Sequence, residues 1–270
     1  MTLERQIRSI GAGARRAARA LAALNTKERN AILRAMADEL LAQTPQVLEA
    51  NDKDVAAASE QGLNKAAIDR LRLTEARVAH MAEGIRQVAH LEDPVGRSIS
   101  EWTRPNGLRI AKVRTPIGVI GIIYESRPNV TSDAAVLCIK TGNAVILRGG
   151  SEALHSNLAI AQALQAGGAV KGLPEHAVQL IATKDRQAVA LMAGMNEYID
   201  LIIPRGGHAL IDTVVRHARM PVIKHYHGVC HVYVDQRADL EMAARIARDQ
   251  MFSVRPTSCA RTVDFSVHTD

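Results

Sequence analysis

Pro116-Ile117-Gly118-Val119-Ile120-Gly121-Ile122-Ile123 runs directly into Tyr124-Glu125-Ser126-Arg127-Pro128-Asn129-Val130-Thr131. The first of these stretches is apolar almost without a break and rich in β-branched side chains. Such a run reads as a strand covered on both faces, as the strands of parallel sheets are. A strand of that kind delivers its C-terminal end to the crevice where open α/β sheets hold ligands. The second stretch places a carboxylate, a guanidinium, an amide and hydroxyls at that end. The plainer reading is a strand-to-helix loop, with Asn129 or Thr131 capping a helix that runs through Lys140.

Downstream, the pattern alternates between strand and helix. Strands are expected at 116–123, 144–148, 178–182, 199–203 and 231–234, with a weaker one at 221–224. Helices are expected at 131–141, 152–167, 184–195, 207–218 and 238–250. This alternation predicts an α/β fold with a doubly wound parallel sheet. Upstream, residues 1 to about 93 read as helical. Asn25 with Glu28 forms a capping box that opens a helix ending before Thr44-Pro45. Another helix runs from about Pro45 to Glu60, and Thr74 caps a third reaching about His90, before Asp93-Pro94 breaks the pattern. Ile99–Thr103 and Leu108–Val113 flank Pro105-Asn106-Gly107, and Asn-Gly supplies the positive φ angles of a tight hairpin turn. A lone hairpin is marginal in water and needs a surface to lie on. The chain divides accordingly into an N-terminal helical part (1–96), the hairpin (97–114), an α/β domain (115–235) and a last segment (236–270).

The chain has 270 residues, 47% of them hydrophobic, enough to bury a substantial core, and with 3% aromatic residues that core is aliphatic. A net charge of +6 suits anionic ligands. The basic residues are scattered along helices without a run or aromatic interleaving, which argues against nucleic acid. Three cysteines without paired spacing argue against a disulfide framework and for the reducing cytoplasm. Cys138 lies in an apolar segment and Cys230 near a strand start, and both read as packed thiols. No segment has the length and apolarity of a membrane span, and no signal-peptide pattern opens the chain. Gly13–Leu24 has some transit-peptide character but reads better as an amphipathic helix.

The usual Gly-x-Gly-x-x-Gly fingerprint is absent. Instead, Arg148-Gly149-Gly150 and Arg205-Gly206-Gly207 each end a strand where a helix begins. Small residues there admit a ligand to the backbone N–H groups and the positive end of the helix dipole. Each arginine adds a charge-assisted contact to phosphate. Two such sites point to a multiply phosphorylated ligand. Cys259, in a polar loop between Arg255 and Arg261, is a candidate nucleophile, since the arginines favour thiolate. His225-Tyr226-His227-Gly228-Val229-Cys230-His231 has metal-like composition, with His225 and His227 sharing a strand face.

Several blocks in one order carry a resemblance: Tyr124 to Thr131, Lys140 to Gly150, Ile203-Pro204-Arg205-Gly206-Gly207, Cys230-His231-Val232-Tyr233-Val234-Asp235, and Arg255-Pro256-Thr257-Ser258-Cys259. Together they resemble the gamma-glutamyl phosphate reductase family, a branch of the aldehyde dehydrogenase superfamily, from the first residues to about Asp249. The resemblance implies an aldehyde dehydrogenase-like fold: a cofactor domain with N-terminal helices, a protruding β-hairpin used in homodimerisation, and only the start of the catalytic domain. It implies NADPH-dependent reduction of L-glutamyl 5-phosphate to L-glutamate 5-semialdehyde, with release of phosphate through a cysteinyl thioester, in proline biosynthesis. The cofactor is then NADP(H). Arg148 lies beside the adenosine ribose, where a guanidinium pairs with a 2′-phosphate, Gly149 and Gly150 follow it, and Arg205, Gly206 and Gly207 lie near the pyrophosphate. Cys259 is the nucleophile, and the Asn129 amide with the Cys259 N–H stabilises the oxyanions. Glu125, Arg127 and Arg255 are substrate-binding candidates. No metal is implied, since the family carries its Cys-His-Val-Tyr-Val-Asp block without one. The chain lacks the Glu-Leu-Gly-Gly surroundings of a hydrolytic base, which argues against aldehyde oxidation.

Departures from the family pattern cluster at the end. Ala260 and Arg261 follow the cysteine where the family has Asn, Val254 replaces Gln, and the chain stops at Asp270. On this reading the C-terminal part is truncated or frame-disrupted, and the alternative function is a catalytically inactive cofactor-binding fragment.

Overall fold

In the computed structural model, residues 2–224 and 232–252 are described, without the side chains of 249–252. Of these described residues, those up to Ile223 form one compact unit and those from Lys224 on belong to a second. The first unit opens with helix α1 (Leu3–Ala23), where Ile7, Ala14, Ala17, Ala18 and Leu21 recur at helical spacing and are buried. Helix α2 (Thr26–Ala42) starts at the expected capping box: Asn25 accepts from the N–H of Glu28, whose carboxylate accepts from Asn25 N. Helices α3 (Thr44–Glu60), α4 (Lys65–Leu71) and α5 (Glu75–His90) follow, the last capped by Thr74 as expected. Helix α4 was not expected; it is one short stretch capped by Asn64 and too brief to show a period.

The hairpin pairs β1 (Ser98–Thr103) with β2 (Arg109–Val113) in antiparallel register. Its turn differs from the expected one. Gly107 N–H bonds Arg104 O at 2.9 Å, Arg104 N–H bonds Leu108 O, and only Gly107 has positive φ. The loop is therefore longer than a two-residue turn, with one left-handed glycine at its end.

The main sheet has order β5-β4-β3-β6 and is parallel throughout, comprising β3 (Val119–Tyr124), β4 (Ala144–Arg148), β5 (Val178–Leu180) and β6 (Leu201–Arg205). The chain passes from β3 through α6 (Asn129–Lys140) to β4 and through α7 (Leu154–Ala169) to β5. It then returns through α8 (Gln187–Ala193) to β6 on the other side of β3, and α9 (His208–His217) follows. Helices α6 and α7 join α2 on one face, while α1, α8 and α9 cover the other. The switch of direction therefore lies between β3 and β6, the place where such sheets open a ligand crevice. The weak strand expected at 221–224 is a single bridge, Val222 to Ile202. Residues 232–234, the described part of another expected strand, are not in one, and Tyr233 is exposed. β-branched and aromatic content makes a strand only where a ladder partner is present. In the second unit, α10 (Leu240–Phe252) matches the expected helix.

Two polar networks lock the helices together. The Asp54 carboxylate accepts from the N–H of Ser156 (2.7 Å) and its hydroxyl (2.6 Å), at the start of α7. Asn51 bonds Leu71 O, Leu73 N and the Ser156 hydroxyl. At the base of the hairpin, buried Arg29 pairs with Asp93, and buried Lys140 bonds Asn30 and Ala89 O. Burial alone would raise the Asp93 carboxyl, but the Thr26 hydroxyl, the Val95 N–H and Arg29 outweigh it and hold it below its ordinary value of 3.8. A depressed carboxyl contributes stability that is full above its unfolded value and is lost as pH falls through the folded one. Asp93→Asn should therefore lower stability at neutral pH by about 2–3 kcal/mol. It should also flatten the loss of stability below about pH 4 in urea melts taken across pH.

Candidate functional site

Strand β3 is buried along its whole length and ends at Tyr124, whose ring packs inward. The Tyr124 hydroxyl bonds Thr131 Oγ1 at 2.7 Å, and Thr131 donates to Asn157 Oδ1 at 3.0 Å. Thr131 is therefore used inside the core, and α6 begins at Asn129 after Pro128, without the side-chain cap expected from Asn129 or Thr131. A Cβ on Gly149 would collide with the Asn157 amide and the Tyr124 ring. That glycine serves this buried network, a packing reason the sequence did not reveal.

The two Arg-Gly-Gly stretches end the strands on either side of β3. Arg148 pairs with Ile123, and Arg205 pairs with Tyr124. They stand about two strand spacings apart, roughly 10 Å. Successive strand residues alternate faces, so one arginine follows Ile123 and the other follows Tyr124 to opposite sides of the sheet. Gly121, on the Ile123 face, abuts Met192 of α8, which identifies that side. Arg148 accordingly feels Asp185 and Arg186 ahead of α8, whereas Arg205 acts on Asp133 of α6. The register thus separates the two guanidinium groups, and they do not form a matched pair.

Arg148 is only 8% exposed. Its Nη1 donates to Gly149 O at 2.8 Å, while its buried Nε has no partner among the described residues. Burial lowers its basicity, and the neighbouring Glu152 carboxylate partly restores it. Glu152 also accepts from the hydroxyls of Ser126 and Ser151, and a Cβ on Gly150 would press on its carboxylate. This acidic residue was missed in the sequence, although a carboxylate near a strand end is a recurrent ribose-hydroxyl acceptor.

On the β6 side, exposed Glu125 reaches across the crevice and accepts from the Gly207 N–H at 3.0 Å, at the N-terminus of α9. Arg127 is exposed after a tight turn in which its N–H bonds Glu125 O. Asn129 is half-buried, and its amide donates to Asp133 Oδ2 at 3.0 Å. Burial raises the Asp133 carboxyl, with the Asn129 amide and Arg205 opposing. Asp133 was also missed; its place four residues after Asn129, on one helix face, was the available signal. Arg255, Cys259, Cys230 and the histidines 225, 227 and 231 lie outside the described residues.

The Aldehyde dehydrogenase family model matches residues 2–270. The chain belongs to the aldehyde dehydrogenase family. Within it, the chain is 52% identical over all its 270 residues to the gamma-glutamyl phosphate reductase of Geobacter metallireducens. It spans 64% of that relative's length. Among solved structures, the gamma-glutamyl phosphate reductase of Thermotoga maritima superposes with a TM-score of 0.85 at 40% identity. That match covers 94% of this chain and 62% of the other. The Saccharomyces cerevisiae enzyme of the same name gives a TM-score of 0.75 at 35% identity, covering 94% and 64%. Family membership agrees with the doubly wound sheet and the N-terminal helices packed upon it. No described helix is long and apolar enough to cross a membrane.

Cys138 takes no part in the crevice. Burial pushes its thiol up from 9.0 to about 12, so at pH 8 its thiolate fraction falls on the order of a thousandfold. Alkylation with iodoacetamide followed by peptide mass spectrometry should leave Cys138 unmodified in the native chain and label it after denaturation.

Proposed function

We propose that this chain binds a phosphorylated dinucleotide, NADP(H), and carries the nucleophile-bearing part of an acyl-phosphate reductase that converts L-glutamyl 5-phosphate to L-glutamate 5-semialdehyde. The observation carrying the cofactor reading is the buried Arg148 guanidinium, with Nε unpartnered at the end of β4. Such a group is costly to leave unmatched, and an anionic oxygen would satisfy it. The crevice fits such a ligand elsewhere too. Gly206 and Gly207 keep side chains of their own away from the backbone at the start of α9, where the Glu125 carboxylate now sits against Gly207 N–H. Arg148 would hold the 2′-phosphate, Glu152 a ribose hydroxyl, and the Gly206-Gly207 turn the pyrophosphate. The names of the relatives supply the substrate.

On this reading the Cys259 thiolate attacks the acyl carbon of the substrate, the carbon–oxygen bond to phosphate breaks, and phosphate leaves with the electron pair. The thioester formed on Cys259 is then reduced to a hemithioacetal, whose carbon–sulfur bond breaks to release aldehyde and regenerate the thiolate. When bound, the reduced nicotinamide would supply the hydride for that reduction. Both tetrahedral states carry an oxyanion, and donors such as the Asn129 amide and the Cys259 N–H contribute about 3 kcal/mol each. Asp133 orients the Asn129 amide by accepting one of its hydrogens, leaving the other available. Arg127 and Arg255 suit the anionic ends of the substrate. Trp102, 46% exposed on the hairpin with Ile99 and Val113, suits contact with a second copy of the chain in a homodimer.

Arg148→Ala should weaken NADPH binding about ten- to a hundredfold and NADH far less, as followed by nicotinamide fluorescence. Equal weakening of both would remove the 2′-phosphate assignment. Cys259→Ser should abolish NADPH-dependent reduction of the acyl phosphate while leaving the NADPH dissociation constant unchanged. Retained turnover in that variant would exclude the thioester route.

A further inference from the structure

The N–H of Gly207, the residue that opens α9, already holds an anion supplied by the chain itself. The Glu125 carboxylate reaches the Gly207 N–H at 3.0 Å from a position 82 residues earlier. The carboxylate lies so close to the turn that a Cβ on Gly206 would stand 2.6 Å from its Oε1. On the far side the same Cβ would stand 2.8 Å from Leu210. No ion pair joins Glu125 to Arg127 or Arg205 among the described residues, although one is two positions along the chain and the other follows the neighbouring strand position. The exposed carboxylate is engaged at the helix end and is ion-paired with neither arginine.

We propose that Glu125 is an internal occupant of the α9 N-terminus and sets the chain's affinity for the diphosphate portion of its nucleotide. This rests on the dinucleotide reading above. A helix N-terminus offers about half a positive charge and a few converging N–H groups. Two anions cannot share them without repulsion at short range. A diphosphate entering the crevice must displace the Glu125 carboxylate or settle for a poorer contact beside it. Glu125 thus opposes ligands that carry phosphate on the β6 side and is indifferent to those held only at Arg148, beyond β3. The side chain is exposed and is free of the core, so it can swing out without unfolding anything.

The test measures dissociation constants of the 270-residue chain and of Glu125→Gln and Glu125→Ala by calorimetry. Three probes are used: NADPH, inorganic pyrophosphate, and adenosine 2′-phosphate. Both variants should bind NADPH and pyrophosphate about three- to thirtyfold more tightly than the unaltered chain. Adenosine 2′-phosphate should bind all three proteins equally, because its phosphate belongs on the Arg148 side. If the unaltered chain binds NADPH and the variants bind it equally or more weakly, Glu125 is not an opposing occupant and the proposal is overturned. Tightening of adenosine 2′-phosphate to the same degree would also overturn it, by showing a general charge effect. If neither the unaltered chain nor the variants bind NADPH, the dinucleotide reading itself fails and takes this inference with it.

Discussion

Strand β3 is hydrogen-bonded along both edges and buried on both faces, and the geometry of the crevice follows from that constraint. Its backbone polar groups have no access to water, so each must find a partner within the protein. The ladders to β4 and β6 supply most of them. Where the strand begins, side chains take over. Asn143 Oδ1 accepts from the N–H groups of Ile117 and Gly118 at 2.7 and 2.9 Å, and Asp200 accepts from Val119 N at 2.8 Å while paired with Arg15. With the entry fixed by these bonds and the body fixed by two ladders, the exit at Tyr124-Glu125 has little freedom. That exit sets the positions of Glu125 over α9, Ser126 against Glu152, and Asn129 at the head of α6.

The polar groups buried behind the crevice carry out a second task. Tyr124, Thr131 and Asn157 form a continuous hydrogen-bonded line from β3 through α6 to α7. Burial raises the Tyr124 phenol, with its bond to Thr131 only partly opposing, so it stays a neutral donor and acceptor. Asp54 and Asn51 extend the same logic to α3 and the start of α5, through Ser156. Buried networks of this kind are favourable only when every member is satisfied, and these nearly are. The unmatched buried side-chain atoms among the described residues are Arg29 Nε and Arg148 Nε. Arg29 is held by its remaining nitrogens to Leu24 O and Asp93 at the hairpin base. Arg148 stands at the crevice, with a single backbone contact, which is the arrangement expected of a group completed by a ligand.

The two sides of β3 present different electrostatic surroundings. Toward β4, a buried cation sits beside the Glu152 carboxylate and two serine hydroxyls. Toward β6, the positive helix end is matched by the Glu125 carboxylate, and Arg205 faces Asp133 on the other surface of the sheet. A dinucleotide is a ligand with phosphate groups separated along its length, so two unlike seats on one crevice suit it better than one strongly basic patch would. The low dielectric around Arg148 strengthens any charge contact made there, whereas contacts at exposed Glu125 are screened by water.

The amino-acid sequence by itself determined the class of the fold and most of its elements. The capping box at Asn25 and Glu28, the Thr74 cap, the helical spacing in α1 and the apolar run of β3 are local signals, each read within a few residues of chain. The Arg-Gly-Gly stretches were visible for the same reason. Tertiary structure decided what those residues face. Parallel pairing places Arg148 level with Ile123 and Arg205 level with Tyr124, and the alternation of faces then sends their side chains apart; a sequence carries no register between strands that are distant in it. Gly149 was legible as a small residue, but only the arrival of Asn157 from α7 shows that it makes room for a core amide. Glu125 was legible as a carboxylate in a polar loop, but its partner is 82 residues away, brought near by the return of the chain to the far side of β3. Short-range propensity reports what an element is, and long-range packing decides which groups meet.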